Sequence, residues 1–300
     1  NVAKAKSTSK EIYAQAIEDA KIAASLMNGQ VGVGYPKPFA ANMLLAKLYM
    51  TLATNPALQD GFSETEYWQM AYNEAKKCVN KYSLVADYSS LFTDTNENTT
   101  ESIFELQISI GATNSQMGRN YSPAGWKPTQ SFGWLRVHAF VYDDHEATYP
   151  GDPRIGGTYV SSFSRANGSL ITFYPIPANR NFSNGHPWFF KFTEKDRTST
   201  NQYGNQNIII YRYADLLLML AEISNELQNG EQLGYVREVL ARAGQVPHAG
   251  YLGSKDDFRD AVMREYKYEL IGEGEDAHNN RRRGFEYFKT HFILPHNSYS

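Results

Sequence analysis

The chain has 300 residues, 42% of them hydrophobic, and its 29 basic and 32 acidic residues give a net charge of −3. A chain of this length can bury a sizeable core, as one large domain or two ordinary ones. Basic and acidic residues are interspersed without a basic stripe, so the charge pattern argues against a nucleic-acid partner. No apolar run reaches the roughly 18 residues that a membrane-spanning helix needs.

Residues 1–82 have the periodicity of packed helices. Thr8-x-x-Glu11 is a capping box that starts a first helix, and Asn28-Gly29 ends it. A second helix is predicted over Phe39–Ala53, and Ser63-x-x-Glu66 caps a third. The second and third helices each have one apolar face, so they are expected to pack as a hairpin of the tetratricopeptide-like kind.

The third predicted helix contains the single cysteine, Cys78, on the same face as Ala71 and Ala75. This position favours a small buried side chain over a reactive thiol. Because one cysteine cannot form a disulfide within the chain, the cysteine content does not indicate the cellular compartment in which the protein works.

Between residues 83 and 210 helical periodicity mostly disappears, and the segment, called the insertion below, is rich in Gly, Asn, Ser, Thr, Pro and aromatic residues. Alternating residues predict a short strand over Glu101–Ile110, and extended pieces are expected at Thr158–Val160 and Ile171–Tyr174. Ser131–Tyr142 is predicted as a helix because it places on one side Trp134, Leu135, His138 and Val141. Such long loops usually have a function, so we expect a loop-rich face on a helical frame.

Helical periodicity returns over Tyr211–Leu227. Ala214 and Ala221 lie seven residues apart on one face, so a neighbouring helix can approach toward the short end of the usual ~8–10 Å range. A second helix is predicted from Leu233 to Ala243, which completes another hairpin.

A third helical block begins with a cap at Ser254, and its first helix runs to Gly272. His278 is expected in a loop, and one more packed helix is predicted after Gly284. Arg281-Arg282-Arg283 is expected to pair with acids such as Glu269 and Glu273. Fixed salt bridges or caps are also expected for Arg212, Asp215, Glu222, Asp152 and Arg154.

Many short motifs, in their order along the chain, resemble the SusD/RagB family. They are Leu45-Ala46-Lys47-Leu48-Tyr49, Ala71 and Ala75, Tyr82-Ser83-Leu84, Leu91-Phe92, Glu101-Ser102-Ile103-Phe104-Glu105-Leu106-Gln107, Asp152-Pro153-Arg154, Tyr211-Arg212-Tyr213-Ala214-Asp215-Leu216-Leu217-Leu218-Met219-Leu220-Ala221-Glu222, Asn225-Glu226, Val236-Arg237, Ala241-Arg242-Ala243-Gly244, Arg264-Glu265, Glu269-Leu270, Glu273-Gly274 and Arg281-Arg282-Arg283-Gly284. The chain departs from the commonest family pattern at Glu275–Asn280, where many members have an aromatic residue and an acid. Members of the family are lipid-anchored glycan-binding proteins on the surface of the Bacteroidetes outer membrane.

The resemblance implies a mainly α fold, with tetratricopeptide-like helical hairpins and a loop-rich insertion that contains short β-strands. It implies one SusD-like domain, with helical hairpins in 1–82, the insertion in 83–210 and a helical block in 211–300. It also implies a fragment, with the lipid anchor and first helices upstream of Asn1 and a further segment beyond Ser300. The expected function is non-enzymatic capture of oligosaccharides for a SusC-like TonB-dependent transporter at the cell surface, without a cofactor or metal.

Sugar recognition needs flat apolar faces for the rings and amide, hydroxyl or guanidinium groups for the hydroxyls. The insertion provides both, at Arg119-Asn120-Tyr121, Trp126, Gln130-Ser131-Phe132, Trp134, Asn181-Phe182, Trp188-Phe189 and Asn201-Gln202-Tyr203. Trp126 lies in a Gly- and Pro-flanked turn and is the first candidate for an exposed sugar-binding ring, followed by Tyr121 and Trp188. Trp134 is assigned to the core because of its helical pattern. The predicted glycan-binding residues are Trp126, Tyr121, Trp188, Asn120, Arg119 and Tyr203.

Two alternatives remain open from the residues. A glycosidase would use paired carboxylates, for which the candidates are Asp143-Asp144 with Glu146, and Glu273 with Glu275. His145 beside Asp143 and Asp144 could help to hold a cation, although no metal-ligand spacing supports a strong site. A tetratricopeptide-like scaffold for a protein or peptide would instead have a groove free of exposed aromatic residues.

Overall fold

The computed structural model describes residues 5–29, 32–173 and 185–298. Its α-helices are α1 (Ser9–Leu26), α2 (Pro38–Thr54), α3 (Glu64–Lys76), α4 (Met117–Tyr121), α5 (Ala139–Thr148), α6 (Pro153–Thr158), α7 (Tyr213–Leu227), α8 (Gln232–Arg242), α9 (Lys255–Leu270), α10 (Asp276–Arg282), α11 (Phe285–Phe288) and α12 (Leu294–Asn297). Short 3₁₀ turns occur at Pro56–Leu58, Tyr88–Phe92 and Ala249–Leu252, with a π-helical turn at Lys289–Ile293. The strands are β1 (Ser102–Leu106), β2 (Tyr159–Val160), β3 (Ser162–Ser164), β4 (Leu170–Thr172), β5 (Trp188–Phe189) and β6 (Ile208–Arg212). The predicted mainly α fold is confirmed.

The predicted capping boxes at three helix starts are confirmed. Thr8, Ser63 and Ser254 each form a complete capping box with the acid three residues later, at the starts of α1, α3 and α9. These caps satisfy amide groups that a helix start otherwise leaves without partners. None of the described helices is both long enough and apolar enough to cross a membrane.

The two helical hairpins, α2–α3 and α7–α8, share one core although the insertion separates them in sequence. Helix α3 packs against α7, and α7 also packs against α9. Ala71 and Ala75 of α3 and Ala214 and Ala221 of α7 are completely buried, as a close helix approach requires. Cys78 is completely buried too, which agrees with its predicted packing role.

The insertion begins and ends in one antiparallel ribbon, since β1 pairs with β6. Ser102 lies opposite Arg212 and Leu106 opposite Ile208, with irregular register between them. The predicted strand Glu101–Ile110 is therefore shorter than expected. Beyond β1, backbone amides donate to side chains instead of to a strand, as with Ile108 and the Asn207 side chain at 2.7 Å.

The predicted helix Ser131–Tyr142 is wrong in its first half. Helix α5 starts only at Ala139, after His138, whose ring accepts a hydrogen bond from the Phe140 amide at 3.3 Å. Residues before His138 are irregular, and Gly133 has a φ of +57°, a value that interrupts a helix. Tyr211 and Arg212, expected in a helix, belong instead to β6.

Two more features near the end of the chain differ from expectation. His278 lies in α10, not in a loop. Arg282 and Arg283 pair with Glu222 and Glu226, not with the predicted Glu269 and Glu273. The arginine run therefore joins α10 to α7, because these acids face it across the packed helices.

Arg154 joins the insertion to α9 in the protein interior. Its guanidinium is completely buried and pairs with Asp152, Glu265 and Glu269. Asp152 also caps α6 by accepting from the Arg154 amide at 2.8 Å. The predicted salt-bridge and capping roles of these two residues are confirmed.

Arg212 forms a second buried junction at the end of β6. It pairs with Glu101 at 2.9 Å and with Glu273 at 2.7 Å, and it also contacts Glu269. Lys191 of the insertion reaches Glu273 at 2.7 Å. Paired charges thus hold the insertion against the helical block at more than one point.

Candidate functional site

Trp134 is the exposed tryptophan of the described residues. Its side chain is 69% exposed, compared with 2% for Trp68, 7% for Trp126 and 2% for Trp188. The expectation that Trp126 and Trp188 are exposed is therefore wrong, and so is the assignment of Trp134 to the core.

Trp126 is buried because its turn folds back onto the insertion. Its ring lies 5.4 Å from that of Phe163, and the Arg197 guanidinium covers it at 4.2 Å. Its indole nitrogen donates a 2.7 Å hydrogen bond to the Glu194 carbonyl. Both the faces and the polar edge of Trp126 thus have protein partners, so its Gly- and Pro-rich flanks do not mark a surface turn.

Trp188 and Tyr121 also have packing roles. Trp188 lies in β5, with its ring 5.4 Å from Phe163 and under the Arg136 guanidinium at 4.2 Å. Tyr121 is half-buried, and its ring packs at 5.3 Å from Phe189. These contacts place the two rings in the small apolar clusters of the insertion.

A stack of three side chains forms the exposed aromatic surface. The rings of Phe132 and Trp134 are parallel to within 10°, with centroids 4.3 Å apart. The Arg119 guanidinium lies over the Phe132 ring at 4.4 Å. These three residues are called the aromatic stack below; Arg119 is one of the predicted glycan-binding residues, whereas Phe132 and Trp134 are not.

Hydrogen bonds fix the arginine of the aromatic stack. Arg119 donates to the Gln130 carbonyl at 2.9 Å, to the Gln130 side chain at 3.1 Å and to the Gln202 side chain at 3.2 Å. A guanidinium held by several acceptors loses little further freedom when a ligand binds.

Backbone contacts fix the two rings. The Phe132 amide donates to the Arg119 carbonyl and the Trp134 amide donates to the Asn120 carbonyl, each at 3.0 Å. Between them, a Cβ at Gly133 would lie 3.1 Å from the Pro123 Cα, and its φ is positive. A side chain at position 133 would therefore be strained, which favours glycine between the two stacked rings.

A shallow depression of about 490 Å³ lies beside the stack and shares Arg119 with it. Its other lining residues are Thr129, Gln130, Thr200, Asn201 and Gln202. These side chains offer amide and hydroxyl groups that can both donate and accept. Of the remaining predicted residues, Asn120 contributes its carbonyl to the stack, and Tyr203 is half-buried next to the depression. Asn181-Phe182 lies outside the described residues.

The pattern that reveals the stack is the spacing of its rings. Phe132 and Trp134 are two residues apart, a spacing that would put them on different faces of a helix. Gly133 between them also weighs against a helix. If the segment is interpreted as a helix, the two rings are placed apart, and their stacking is not predicted.

The carboxylate pair Glu273 and Glu275 is engaged in ion pairs. Burial raises the pKa of Glu273, but the charges of Arg212 and Lys191 and their hydrogen bonds outweigh it and hold the pKa below the usual value. Glu275 pairs with Lys47 at 2.8 Å. A carboxylate stabilised as the anion in this way is a poor general acid.

The acidic cluster near α5 is also structural. His145 is completely buried, and its two ring nitrogens contact the Tyr159 hydroxyl at 3.2 Å and the Asp152 carboxylate at 3.1 Å. The ring therefore does not help Asp143 and Asp144 to hold a cation. Asp144 accepts from the Tyr268 hydroxyl at 2.8 Å, and Glu146 from the Tyr142 hydroxyl at 3.0 Å. Within the described ranges, no group of three or more His, Cys, Asp or Glu side chains could hold a metal ion.

The helical hairpins have a groove of their own, about 340 Å³ in volume, along α1, α2 and α3. Phe62, which is 49% exposed, lies in its wall. This groove thus contains an exposed aromatic residue, whereas the groove of a peptide-binding scaffold was expected to have none.

Comparison with known proteins gives the family. The sequence profile described as the SusD family matches residues 53–290. SusD-like protein P25 of Formosa agariphila is 24% identical over 268 residues, which are 80% of this chain and 48% of that relative.

Solved structures have the same fold. A SusD superfamily protein from Bacteroides vulgatus is 26% identical with a TM-score of 0.73, over 97% of this chain and 62% of that one. Surface glycan-binding protein A from Bacteroides thetaiotaomicron, solved in complex with laminarihexaose, is 20% identical with a TM-score of 0.69, over 90% of this chain and 60% of that one. The chain spans about half the length of P25 and less than two thirds of either solved structure. Because the family profile matches well over half of the sequence, this chain belongs to the SusD family.

Proposed function

We propose that the chain binds glycans at the cell surface through the aromatic stack, without catalysing a reaction. The observation that supports this most directly is the Trp134 ring, 69% exposed yet held parallel to Phe132. An exposed indole in a fixed orientation costs little entropy to use and offers a flat face to the CH side of a sugar ring.

We assign the hydrogen bonds to sugar hydroxyls to the neighbouring depression. Gln130, Asn201 and Gln202 are exposed there, and their amides can pair with sugar hydroxyls as donors and acceptors. With few stacked rings and an open site, the affinity is expected between micromolar and millimolar, or about 4–8 kcal/mol. The laminarihexaose complex of a structural neighbour supports this ligand class.

The non-enzymatic part of the proposal is supported by the state of the candidate carboxylates. Glu273 and Glu275 are paired with cations, and Asp144 accepts a tyrosine hydroxyl. A reducing-sugar assay tests this part: we expect no release, and release abolished by Asp144→Asn or Glu273→Gln would establish a glycosidase instead.

Family membership supports a place for the protein at the outer membrane. We propose a lipid anchor and a SusC-like TonB-dependent transporter as the partner that receives the glycan. Affinity purification of the full-length protein from its own membranes tests this. We expect such a transporter to co-purify, whereas its consistent absence from solubilised complexes would contradict the partner.

Affinity electrophoresis in gels that contain a panel of polysaccharides, including laminarin, tests the site. For a retarded wild type, we expect Trp134→Ala to weaken binding about tenfold, equivalent to about 1.4 kcal/mol. Phe285→Ala is the matched control, because Phe285 is an aromatic side chain 68% exposed elsewhere. Equal retardation of all three proteins would contradict the site, and no retardation on any glycan would contradict the function.

A further inference from the structure

A small cavity outside the aromatic stack lies between α5, α9 and the end of the chain. It has a volume of about 140 Å³, and its walls include Phe140, Asp144, Asp260, Arg264, Lys267 and His291. This volume is equivalent to that of a few water molecules, at about 30 Å³ each in the liquid. The cavity therefore suits a small chemical group and not a whole sugar ring.

Lys267 of α9 lines this cavity and is buried without a carboxylate at ion-pair distance. Its side chain is 5% exposed, and its Nζ lies 5.3 Å from the centre of the Phe140 ring. Among the described residues, no carboxylate oxygen lies within 4.0 Å of this Nζ, and no group accepts a hydrogen bond from it. Burying an ammonium in this way is costly unless an anion pairs with it.

Other buried cations of the described residues are paired, which makes Lys267 an exception. Arg154, Arg212 and Arg282 each meet at least one carboxylate at ion-pair distance. Lys191 meets Glu273 at 2.7 Å. These four buried cations are thus paired with acids of the same chain.

The acids around the cavity have other partners. Asp144 accepts from the Tyr268 hydroxyl at 2.8 Å and faces Arg264 at 3.8 Å. Asp260 accepts from the Tyr287 hydroxyl at 2.9 Å. These arrangements leave the ammonium of Lys267 without an acceptor.

The charge of Lys267 acts on the buried carboxyl group of Asp276. Burial raises the pKa of the Asp276 carboxyl, and the Lys267 charge opposes that rise without forming an ion pair. Asp276 accepts instead from the Asn280 amide at 3.0 Å.

We propose that this cavity binds a small oxyanion, a carboxylate or phosphate group, through an ion pair with Lys267. A lysine ammonium only donates, so the group it lacks is an acceptor, and a negative charge compensates its burial best. Arg264 and the His291 ring lie on the cavity wall as further donors. Such a group belongs either to an acidic sugar or to a free small anion.

Thermal unfolding at constant ionic strength tests the site, with glucuronate, acetate and inorganic phosphate as probes and glucose as the neutral reference. We expect at least one anion to raise the Tm of the wild type in a saturable way, and Lys267→Met to bind it at least tenfold more weakly. Lys289→Met is the matched control, because that lysine is exposed and is expected to respond as the wild type does. Glucuronate alone would indicate an acidic sugar, whereas an equal effect of acetate or phosphate would indicate a free anion.

Two results would overturn the proposal. One is a Lys267→Met protein that responds to anions as the wild type does, and the other is a wild type that no anion stabilises. If Lys267→Met fails to fold, calorimetric titration of the wild type still decides, because we expect one saturable anion site per chain. Trp134→Ala is expected to leave this response unchanged, so the anion site and the glycan site can fail separately.

Discussion

Trp126 and Trp134 have the same side chain, but that of Trp126 is buried and that of Trp134 is exposed. The Trp126 ring is covered by Phe163 and Arg197, and its indole nitrogen has a carbonyl partner. The Trp134 ring has one ring neighbour in the stack and is largely exposed to solvent. Trp126 therefore contributes to the packing of the insertion, and Trp134 is the ring available to a ligand.

Substitution by alanine separates these roles. We expect Trp126→Ala to lower the free energy of unfolding by about 3–5 kcal/mol, because it leaves a cavity and an unpaired carbonyl. Trp134→Ala is expected to change it by about 0.5 kcal/mol or less, as is usual at exposed positions. Urea denaturation measures both, and a larger loss from Trp134→Ala would show that its ring supports the fold.

Buried ion pairs join the insertion to helix α9, beside the ring contact between Tyr149 and Tyr268. Arg154 links Asp152 at the start of α6 to Glu265 and Glu269 on α9. Burial disfavours the charged form of Arg154, but the surrounding carboxylates outweigh this and raise its pKa well above the usual value. A rigid joint of this kind fixes the face that contains the aromatic stack on the helical frame.

Removal of the Arg154 charge tests this joint. We expect Arg154→Met to destabilise the protein by about 3–5 kcal/mol, because Glu265 and Glu269 keep their buried charges without this partner. Lys10→Met, which breaks the exposed 3.0 Å pair with Asp60, is the control and is expected to change little. Comparable midpoints for both variants in urea denaturation would contradict a structural role for the buried pair.

At the scale of the whole molecule, helices that are distant in sequence form one core. Hairpin α2–α3 packs on α7 of the second hairpin, and the β1–β6 ribbon closes the insertion between them. The insertion adds its own small apolar clusters, one around Trp126 and Trp188. The molecule therefore consists of a rigid helical frame and an insertion that packs around its own apolar clusters.

Acid should destabilise this assembly through its paired carboxylates. Burial raises the pKa of Glu226, but hydrogen bonds and charges from Arg259 and Arg283 outweigh it and lower the pKa to about 2. Below the unfolded value of about 4.5, the unfolded chain takes up protons first. The stabilisation is therefore complete above about pH 4.5 and is lost as the pH falls toward 2.

The pH dependence of Tm measures this effect. We expect the wild-type Tm to decline below about pH 4.5, and Glu226→Gln to be less stable at pH 7 but to decline less steeply. Glu286→Gln, at an exposed position, is the control and should follow the wild type. Identical pH slopes for Glu226→Gln and the wild type would contradict the contribution of Glu226.

Sequence patterns predicted the helical frame because its signals are local. Capping boxes at Thr8, Ser63 and Ser254 and apolar stripes need no knowledge of distant contacts. The partners of Arg282 and Arg283 depend on which helix faces them, and that is set by tertiary packing. Several acids lie at suitable spacing along the chain, so the sequence alone could not choose Glu222 and Glu226.

The site was harder to predict, for a physical reason. Arg119 and the aromatic composition of the insertion pointed to the region that contains the aromatic stack. Whether a particular ring is exposed depends on irregular backbone around it, such as the positive φ of Gly133 and the hydrogen bonds to residues 119 and 120. Turn composition made Trp126 seem the exposed ring, although contacts from distant residues cover it.

Acrylamide quenching of tryptophan fluorescence tests the central claim most directly, namely that the aromatic stack is the glycan-contact surface. Trp134 is 69% exposed and the other three tryptophans are at most 7% exposed, so quenching reports mainly on Trp134. With a glycan that the wild type binds, we predict that saturation protects the quenchable fluorescence. Unchanged quenching at saturating glycan would show that the sugar binds elsewhere and would contradict the account.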